Sequence, residues 1–217
     1  MLKVSFDRPS GATYRILCLG AHSDDIEIGC GGTIINLLTK YSHVAIYWVV
    51  FSANPERETE AKTSAGKFLV NAESSTIIVK NFRDSFFPFI GSTIKEFFEE
   101  LKKEFYPDII FTHNQNDRHQ DHRLVSDLTW NTFRDHLILE YEIPKYDGDL
   151  GSPNLFVHLD EPVVHAKIEG ILNCFKSQAN NRWFSQELFM SILRVRGIEC
   201  NASSGFAEAF YCRKMII

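Results

Sequence analysis

A histidine and two carboxylates, His22, Asp24 and Asp25, lie within four residues, directly after an apolar run. Such groups are costly to remove from water unless they are paired or bind a cation. The spacing lets His22 and Asp25 turn toward one point while Asp24 points elsewhere, and zinc accepts both imidazole nitrogen and carboxylate oxygen. The segment is therefore interpreted as part of a metal site. The alternative is that one of the aspartates caps the following helix and His22 bonds to a loop.

A second polar cluster runs from His113 to His122. His119 and His122 are three residues apart, so in the first turn of a helix their rings share one face. Asp121 lies between them, where a carboxylate fixes the tautomer of an imidazole ring. The alternative is a solvated polar loop. One histidine and one aspartate from the first cluster, with one histidine from the second, make three ligands and leave a fourth position open, as in catalytic zinc sites.

The glycines in Gly29-Cys-Gly-Gly32 raise a different hypothesis, a dinucleotide-binding loop. That fingerprint requires a third glycine three positions after the second, where this chain has Ile34. The glycines also follow the acidic cluster instead of the strand. We therefore interpret them as a close-packed turn that opens a helix at Thr33.

Apolar runs and helical periodicity alternate along the chain. Strands are predicted at 14–21, 44–51, 75–80, 108–113 and 155–159, and helices at 33–40, 55–69, 93–105, 121–137, 162–175 and 182–195. This alternation predicts an α/β fold, a Rossmann-like three-layer α/β/α arrangement around a mostly parallel sheet. Ligands of such sheets bind beyond the carboxyl ends of the strands, which places the chemistry after residues 21, 51 and 113.

Composition limits the remaining possibilities. The 217 residues show no linker or repeat, so we predict a single domain over 1–217. The net charge of −5 gives no basic footprint for a nucleic acid, and the longest apolar stretch, 44–51, is too short to span a membrane. Charged residues near the start argue against a signal peptide, and five cysteines without a CxxC pair favour reduced thiols. We expect a cytoplasmic protein, with a homo-oligomer left open.

The two clusters resemble the motifs of a known family. The segment Ala21-His-Ser-Asp-Asp-Ile-Glu-Ile-Gly-Cys-Gly-Gly-Thr33 is similar to the AHPDD and glycine signature of the PIG-L/LmbE-like zinc-dependent N-deacetylases. The segment His119-Gln-Asp-His122 is similar to the HPDH motif of that family. Ser23 and Gln120 replace the two prolines, and Asp117 and Arg118 stand where some members have a tyrosine.

The resemblance implies a role for each matching residue. His22, Asp25 and His122 are implied to bind Zn²⁺, although the same ligand types also suit Fe²⁺. Asp24 is implied to be the general base, and His119 to face the oxyanion or the leaving amine. Asp121 is expected to orient His119 and to raise its pKa.

Arg57 and Asp84 are the candidates for holding the substrate, with ordinary alternatives for both. Arg57 could pair with Glu60 on the surface. Asp84 could cap a turn. The polar residues Glu140, Tyr141, Asp147 and Asp149 are predicted to form an acidic loop over the pocket.

These assignments predict a zinc-dependent hydrolase that removes an N-acetyl group from an amino sugar or glycoconjugate. An amidase or deformylase acting on another small N-acyl substrate is the alternative within the same chemistry. A non-catalytic metal-binding or sugar-nucleotide-binding module is the alternative from a different class, and the presence of Asp24 beside the ligands disfavours it.

Overall fold

The computed structural model describes residue 9 and residues 11–216, and these residues form one seven-stranded sheet. Its strands are β1 (Tyr14–Gly20), β2 (Val44–Val50), β3 (Ser74–Val79), β4 (Ile109–His113), β5 (Leu137–Tyr141), β6 (Leu155–His158) and β7 (Ala207–Cys212). Their spatial order is β3-β2-β1-β4-β5-β7-β6. Strands β1 to β5 are parallel, and β7 runs antiparallel to both of its neighbours. The prediction of a mostly parallel sheet is confirmed.

Helices cover both faces of this sheet. They are α1 (Asp25–Lys40), α2 (Pro55–Phe68), α3 (Gly91–Glu104), α4 (Gln120–Thr132), α5 (Glu161–Cys174) and α6 (Gln186–Glu199), with short 3-10 turns at Phe87–Ile90 and Lys176–Gln178. Apolar side chains of α1, α2, α5 and α6 share one core, and those of α3 and α4 share the other. The three-layer prediction is confirmed. Among the described residues, no helix combines the length and the apolar character needed to cross a bilayer. Residues 1–8, whose charges argued against a signal peptide, lie outside the described residues.

The central strand shows why its sequence is a continuous apolar run. Ile16 and Cys18 of β1 point into the core beneath α1, whereas Leu17 and Leu19 point into the core beneath α3 and α4. Successive side chains of a strand face opposite sides, so a strand covered on both faces needs apolar residues at every position.

The glycine segment was predicted wrongly as a turn, because it lies inside α1. A Cβ atom on Gly29 would lie 2.2 Å from Cδ2 of Tyr141, and one on Gly31 would lie 2.6 Å from Cε1 of Phe68. Helix propensity disfavours glycine, but tertiary packing overrides it here. The glycines bring α1 close to its neighbours, and the helix starts at Asp25, eight residues earlier than predicted.

The region after α4 also differs from the prediction. The helix expected over 121–137 ends at Thr132, and β5 follows it. Glu140 and Tyr141, predicted in an acidic loop, are buried residues of β5. Glu140 receives charged hydrogen bonds from Arg213, including one of 2.5 Å from Nε. Pairing with a residue beyond β7 thus permits a carboxylate inside the sheet, which the local sequence does not indicate.

The packing of Gly29 against Tyr141 gives the first prediction. Gly29→Ala forces a methyl group into a buried ring, which is itself fixed by a hydrogen bond from its hydroxyl to the Leu19 carbonyl. We expect a loss of about 1–3 kcal/mol in the free energy of unfolding, measured by urea denaturation.

Gly66→Ala is the matched control, because Gly66 also lies inside a helix but has open space around it. We expect this substitution to stabilise the protein by about 0.5–1 kcal/mol. Equal effects of the two substitutions would contradict the packing role of Gly29.

Candidate metal centre and active site

The two polar clusters meet at the carboxyl ends of β1 and β4, which are adjacent parallel strands. The chain after β1 enters α1 on one face of the sheet, and the chain after β4 leads to α4 on the other face. Connections that leave neighbouring strands toward opposite faces open a crevice between them. His22, Asp25, His119 and His122 lie together in this crevice.

Three side-chain atoms form a small triangle there. His22 Nδ1 lies 3.1 Å from His122 Nε2 and 3.4 Å from Asp25 Oδ2. His122 Nε2 and Asp25 Oδ2 are 3.6 Å apart. Two ligands about 2.0–2.2 Å from a tetrahedral zinc ion are separated by roughly 3.3–3.6 Å. The spacing of the three atoms therefore fits a single zinc-sized cation.

The hydrogen bonds of His122 support an orientation in which its Nε2 faces the other two atoms of the triangle. Its Nδ1 lies 2.9 Å from Oδ2 of Asp117, a buried carboxylate. A ring that donates from Nδ1 to a carboxylate keeps a lone pair on Nε2, the usual arrangement of a metal-bound histidine. The lone pair of His122 Nε2 then faces the centre of the triangle.

His113 is a competing ligand that the sequence did not single out. It is buried at the end of β4 and stacks on His122 with ring centroids 3.9 Å apart, and it groups with Asp25 and His122 within ligand-binding range. Its Nε2, however, accepts a hydrogen bond of 2.9 Å from the Ala21 amide. Because that lone pair is already used, we assign His113 to the support of the loop after β1.

The carboxylate of Asp121 does not bond to the His119 ring, contrary to the prediction. Its two carboxylate oxygens accept hydrogen bonds from the amides of Ser85 and Phe87, at 2.6 and 3.1 Å, and one lies 3.4 Å from His22 Nε2. The pKa of His119 is lowered, not raised: burial and the nearby His22 charge outweigh the opposing effect of Asp121. Asp121 anchors the segment that carries Asp84.

His119 caps α4, and this fixes its tautomer. Its Nδ1 accepts a hydrogen bond of 3.2 Å from the Asp121 amide. A neutral ring that accepts at Nδ1 carries its proton on Nε2. His119 therefore offers a hydrogen-bond donor at its other nitrogen.

Arg57 lies at the site, and it does not form the surface pair with Glu60 that was its alternative role. Its Nη2 donates to Asp24 Oδ1 at 2.6 Å, whereas Glu60 accepts from the amide and hydroxyl of Ser177. Asp24 is buried, and its second oxygen, Oδ2, has no hydrogen-bond partner among the described residues. Asp84 is largely exposed, with Oδ1 3.2 Å from His22 Nε2.

The adjacent aspartates have opposite electrostatic environments. Burial raises the pKa of Asp24, and the nearby Arg57 guanidinium only partly opposes this. Burial also disfavours the charge of Asp25, but its close polar contacts with the imidazoles of His122, His113 and His22 outweigh this effect, so the pKa of Asp25 lies well below its usual range. Asp25 is thus the carboxylate of the pair that stays charged.

Comparison with known proteins places the chain in a family. Residues 17–133, more than half of the chain, match the family model described as PIG-L, GlcNAc-PI de-N-acetylase. The chain belongs to the PIG-L family. The match covers both clusters of the crevice, and the predicted resemblance is confirmed. A search of curated protein sequences gave no match.

Solved structures share this PIG-L fold at low sequence identity. The conserved protein TT1542 from Thermus thermophilus is 18% identical with a TM-score of 0.73, covering 93% of this chain and 95% of its own. The N,N′-diacetylchitobiose deacetylase from Pyrococcus horikoshii is 20% identical with a TM-score of 0.69, covering 91% and 83%. GalB, the 4-carboxy-2-hydroxymuconate hydratase from Pseudomonas putida KT2440, is 15% identical with a TM-score of 0.73, covering 94% and 98%. A deacetylase and a hydratase share this fold, so the fold alone does not determine which reaction is catalysed.

Other polar residues near this PIG-L site gave no separate signal in the sequence. Asp117 bonds to His122, and Lys145 bonds in turn to Asp117. Of the predicted acidic loop, Asp149 accepts from Lys145 and from the Arg118 amide. The contacts of Lys145 with Asp117 and of Asp149 with Arg118 join residues distant in the chain, so no local spacing could have revealed them.

Glu27, on α1 behind the ligands, is a further buried carboxylate. Neither of its oxygens has a hydrogen-bond partner among the described residues that meets normal geometry. Burial raises its pKa to about 8, from an ordinary value of 4.5. Between these two values the folded protein holds a proton that the unfolded chain releases, so stability falls as pH rises through this range.

This linkage gives the second prediction. Glu27→Gln cannot ionise, so its melting temperature should fall less between pH 5 and pH 8 than that of the unsubstituted protein. Thermal unfolding of both proteins in a chelator measures the difference without a metal contribution. Glu100→Gln, at an exposed position of α3, is the control and should follow the unsubstituted protein. Parallel pH curves for Glu27→Gln and the unsubstituted protein would rule out the proton uptake by Glu27.

Proposed function

We propose that this chain hydrolyses the amide bond of an N-acetylated amino sugar or glycoconjugate, with Zn²⁺ held by His22, Asp25 and His122. Fe²⁺ is the alternative ion, because imidazole and carboxylate ligands suit both. The observation that carries the proposal is Oδ2 of Asp24, a buried carboxylate oxygen that has no hydrogen-bond partner in the described part of the chain and lies on the residue next to a triangle of candidate ligand atoms. A site built only to bind a metal has no need of such a base.

The metal ion supplies Lewis acidity, which makes water a nucleophile near neutral pH and polarises an amide carbonyl. Asp24 accepts the proton that the attacking water gives up. Arg57 holds Oδ1 of Asp24, so the free Oδ2 is the atom that takes this proton. A raised pKa suits the role, because a general base works best when its pKa is close to the operating pH.

His119 stabilises the negative charge that develops on the carbonyl oxygen. It acts as a neutral donor through Nε2, since its Nδ1 is occupied by the Asp121 amide. A well-placed donor of this kind contributes about 3–4 kcal/mol to the transition state. Asp24 then passes its proton to the leaving amine nitrogen as the carbon–nitrogen bond breaks, which yields acetate and the free amine.

Arg57 and Asp84 are proposed to bind the substrate. Arg57 Nε is buried and lacks a partner among the described residues, so it has a donor left for a sugar hydroxyl. Asp84 has an exposed side chain at the edge of the site, and its carboxylate can accept hydroxyl hydrogens. The family description, GlcNAc-PI de-N-acetylase, supports an N-acetylated sugar. An amidase acting on another N-acyl compound uses the same machinery.

Substitution of the proposed base gives the third prediction. Asp24→Asn keeps the shape but cannot accept the proton, so kcat/KM for amine release should fall about 10²–10⁴-fold. Bound metal should remain stoichiometric by elemental analysis. The substrates are N-acetylglucosamine, its glycosides and an N-formyl analogue. Asp135→Asn, an exposed carboxylate before β5, is the matched control.

The outcomes separate the three candidate functions. Hydrolysis of the N-acetyl sugars alone supports the deacetylase, and preference for the formyl analogue supports the alternative amidase. Stoichiometric metal without hydrolysis of any amide supports the binding module. Near-normal turnover by metal-loaded Asp24→Asn would contradict the base assignment.

A further inference from the structure

We propose that Lys145 is a positioning residue for the ligand His122, acting through Asp117 and tying the segment after β5 to the metal site. This inference rests on the metal site of the proposed function. The segment 142–154 joins β5 to β6, and the sequence shows no reason for its lysine to reach the crevice.

Lys145 lies in a three-way contact. Its Nζ is 2.9 Å from Oδ2 of Asp117 and 2.6 Å from Oδ2 of Asp149, and only 12% of its side chain is exposed. Asp149 Oδ2 also accepts from the amide of Arg118 at 2.7 Å. The segment after β5 is thus attached at two points to the loop that precedes α4.

Asp117 connects this contact to the ligands. Its Oδ1 accepts from the His119 amide at 2.8 Å, and its Oδ2 accepts from His122 Nδ1 at 2.9 Å. Lys145 and His122 therefore share one carboxylate oxygen. A carboxylate held from both sides has a fixed rotamer, and its direction sets the orientation of the imidazole ring that donates to it.

An ordinary structural role for Lys145 makes a different prediction. If the lysine only fastens the segment to Asp149, its loss should change stability and leave the affinity of the site for metal unchanged. If the lysine acts through Asp117, removing it should weaken metal binding. This weakening should disappear once Asp117 can no longer orient His122. The two roles are thus separable by a double-mutant cycle.

The fourth prediction tests this with Co²⁺ as a spectroscopic probe. The full chain, freed of metal, is titrated with Co²⁺, and its visible absorption gives both the dissociation constant and the ligand geometry. Lys145→Met should raise the dissociation constant about tenfold, at the lower end of the range for partners of metal ligands, and alter the absorption bands. In an Asp117→Asn background, Lys145→Met should add less than about a twofold change.

The controls keep the result interpretable. Lys62→Met removes an equally short lysine–carboxylate pair, with Glu58, on the exposed side of α2, and should leave the dissociation constant unchanged. Loss of Lys145 leaves two carboxylates facing each other, so Lys145→Met is also made together with Asp149→Asn. That pair of substitutions should still weaken Co²⁺ binding, whereas Asp149→Asn alone should do so less.

The inference is overturned if Lys145→Met binds Co²⁺ as tightly as Lys62→Met, or if its effect and that of Asp117→Asn simply add. If the unsubstituted protein bound no Co²⁺ or Zn²⁺, the metal assignment would fall together with this inference. If it bound metal but hydrolysed no amide, the proposed activity would fall while the role of Lys145 was still decided by the titration.

Discussion

The crevice between the carboxyl ends of β1 and β4 is the constraint on which the site depends. Both strands end in polar residues, and their following segments leave toward opposite faces of the sheet. His22 and Asp25 come from the segment after β1 and His122 comes from the segment after β4, so side chains of both segments surround one space of the size of an ion. The three candidate ligand atoms come from two segments, and the parallel pairing of the two strands brings them together.

Close packing of α1 fixes one side of this crevice. The same tyrosine that fills the space beside Gly29 donates its hydroxyl to the Leu19 carbonyl, at the end of β1. His113 Nε2 accepts a hydrogen bond from the amide of Ala21, the next residue after the strand. The first turn of α1, which carries Asp25, is thereby fixed against β1, β4 and β5. The glycine residues, which the sequence suggests are a turn, form the contact surface of α1. Only a helix without side chains at these positions can pack this closely against Tyr141 and Phe68.

The sequence predicted features that depend on local pattern and missed those that depend on distant partners. Apolar runs identified β1, β2 and β4, since a strand buried on both faces has apolar residues at successive positions. Strand β5 was hidden because Glu140 looks like a loop residue until Arg213 is seen beside it. At the site, both clusters were found by residue type and position after a strand. The partner of Asp121 was predicted wrongly because backbone amides of Ser85 and Phe87, 36 and 34 residues away, compete for its carboxylate.

Two consecutive aspartates show how the environment divides the work between identical side chains. Asp25 lies against the imidazoles of His122, His113 and His22, and these polar contacts keep it ionised despite burial. Asp24 points away, and burial raises its pKa although Arg57 contacts one of its oxygens. Environments that push the pKa values of two titratable groups apart assign them different roles. Asp25 suits a permanent negative ligand, and Asp24 suits a group that takes up and returns a proton. Exchanging their surroundings, without changing either residue, would exchange their roles.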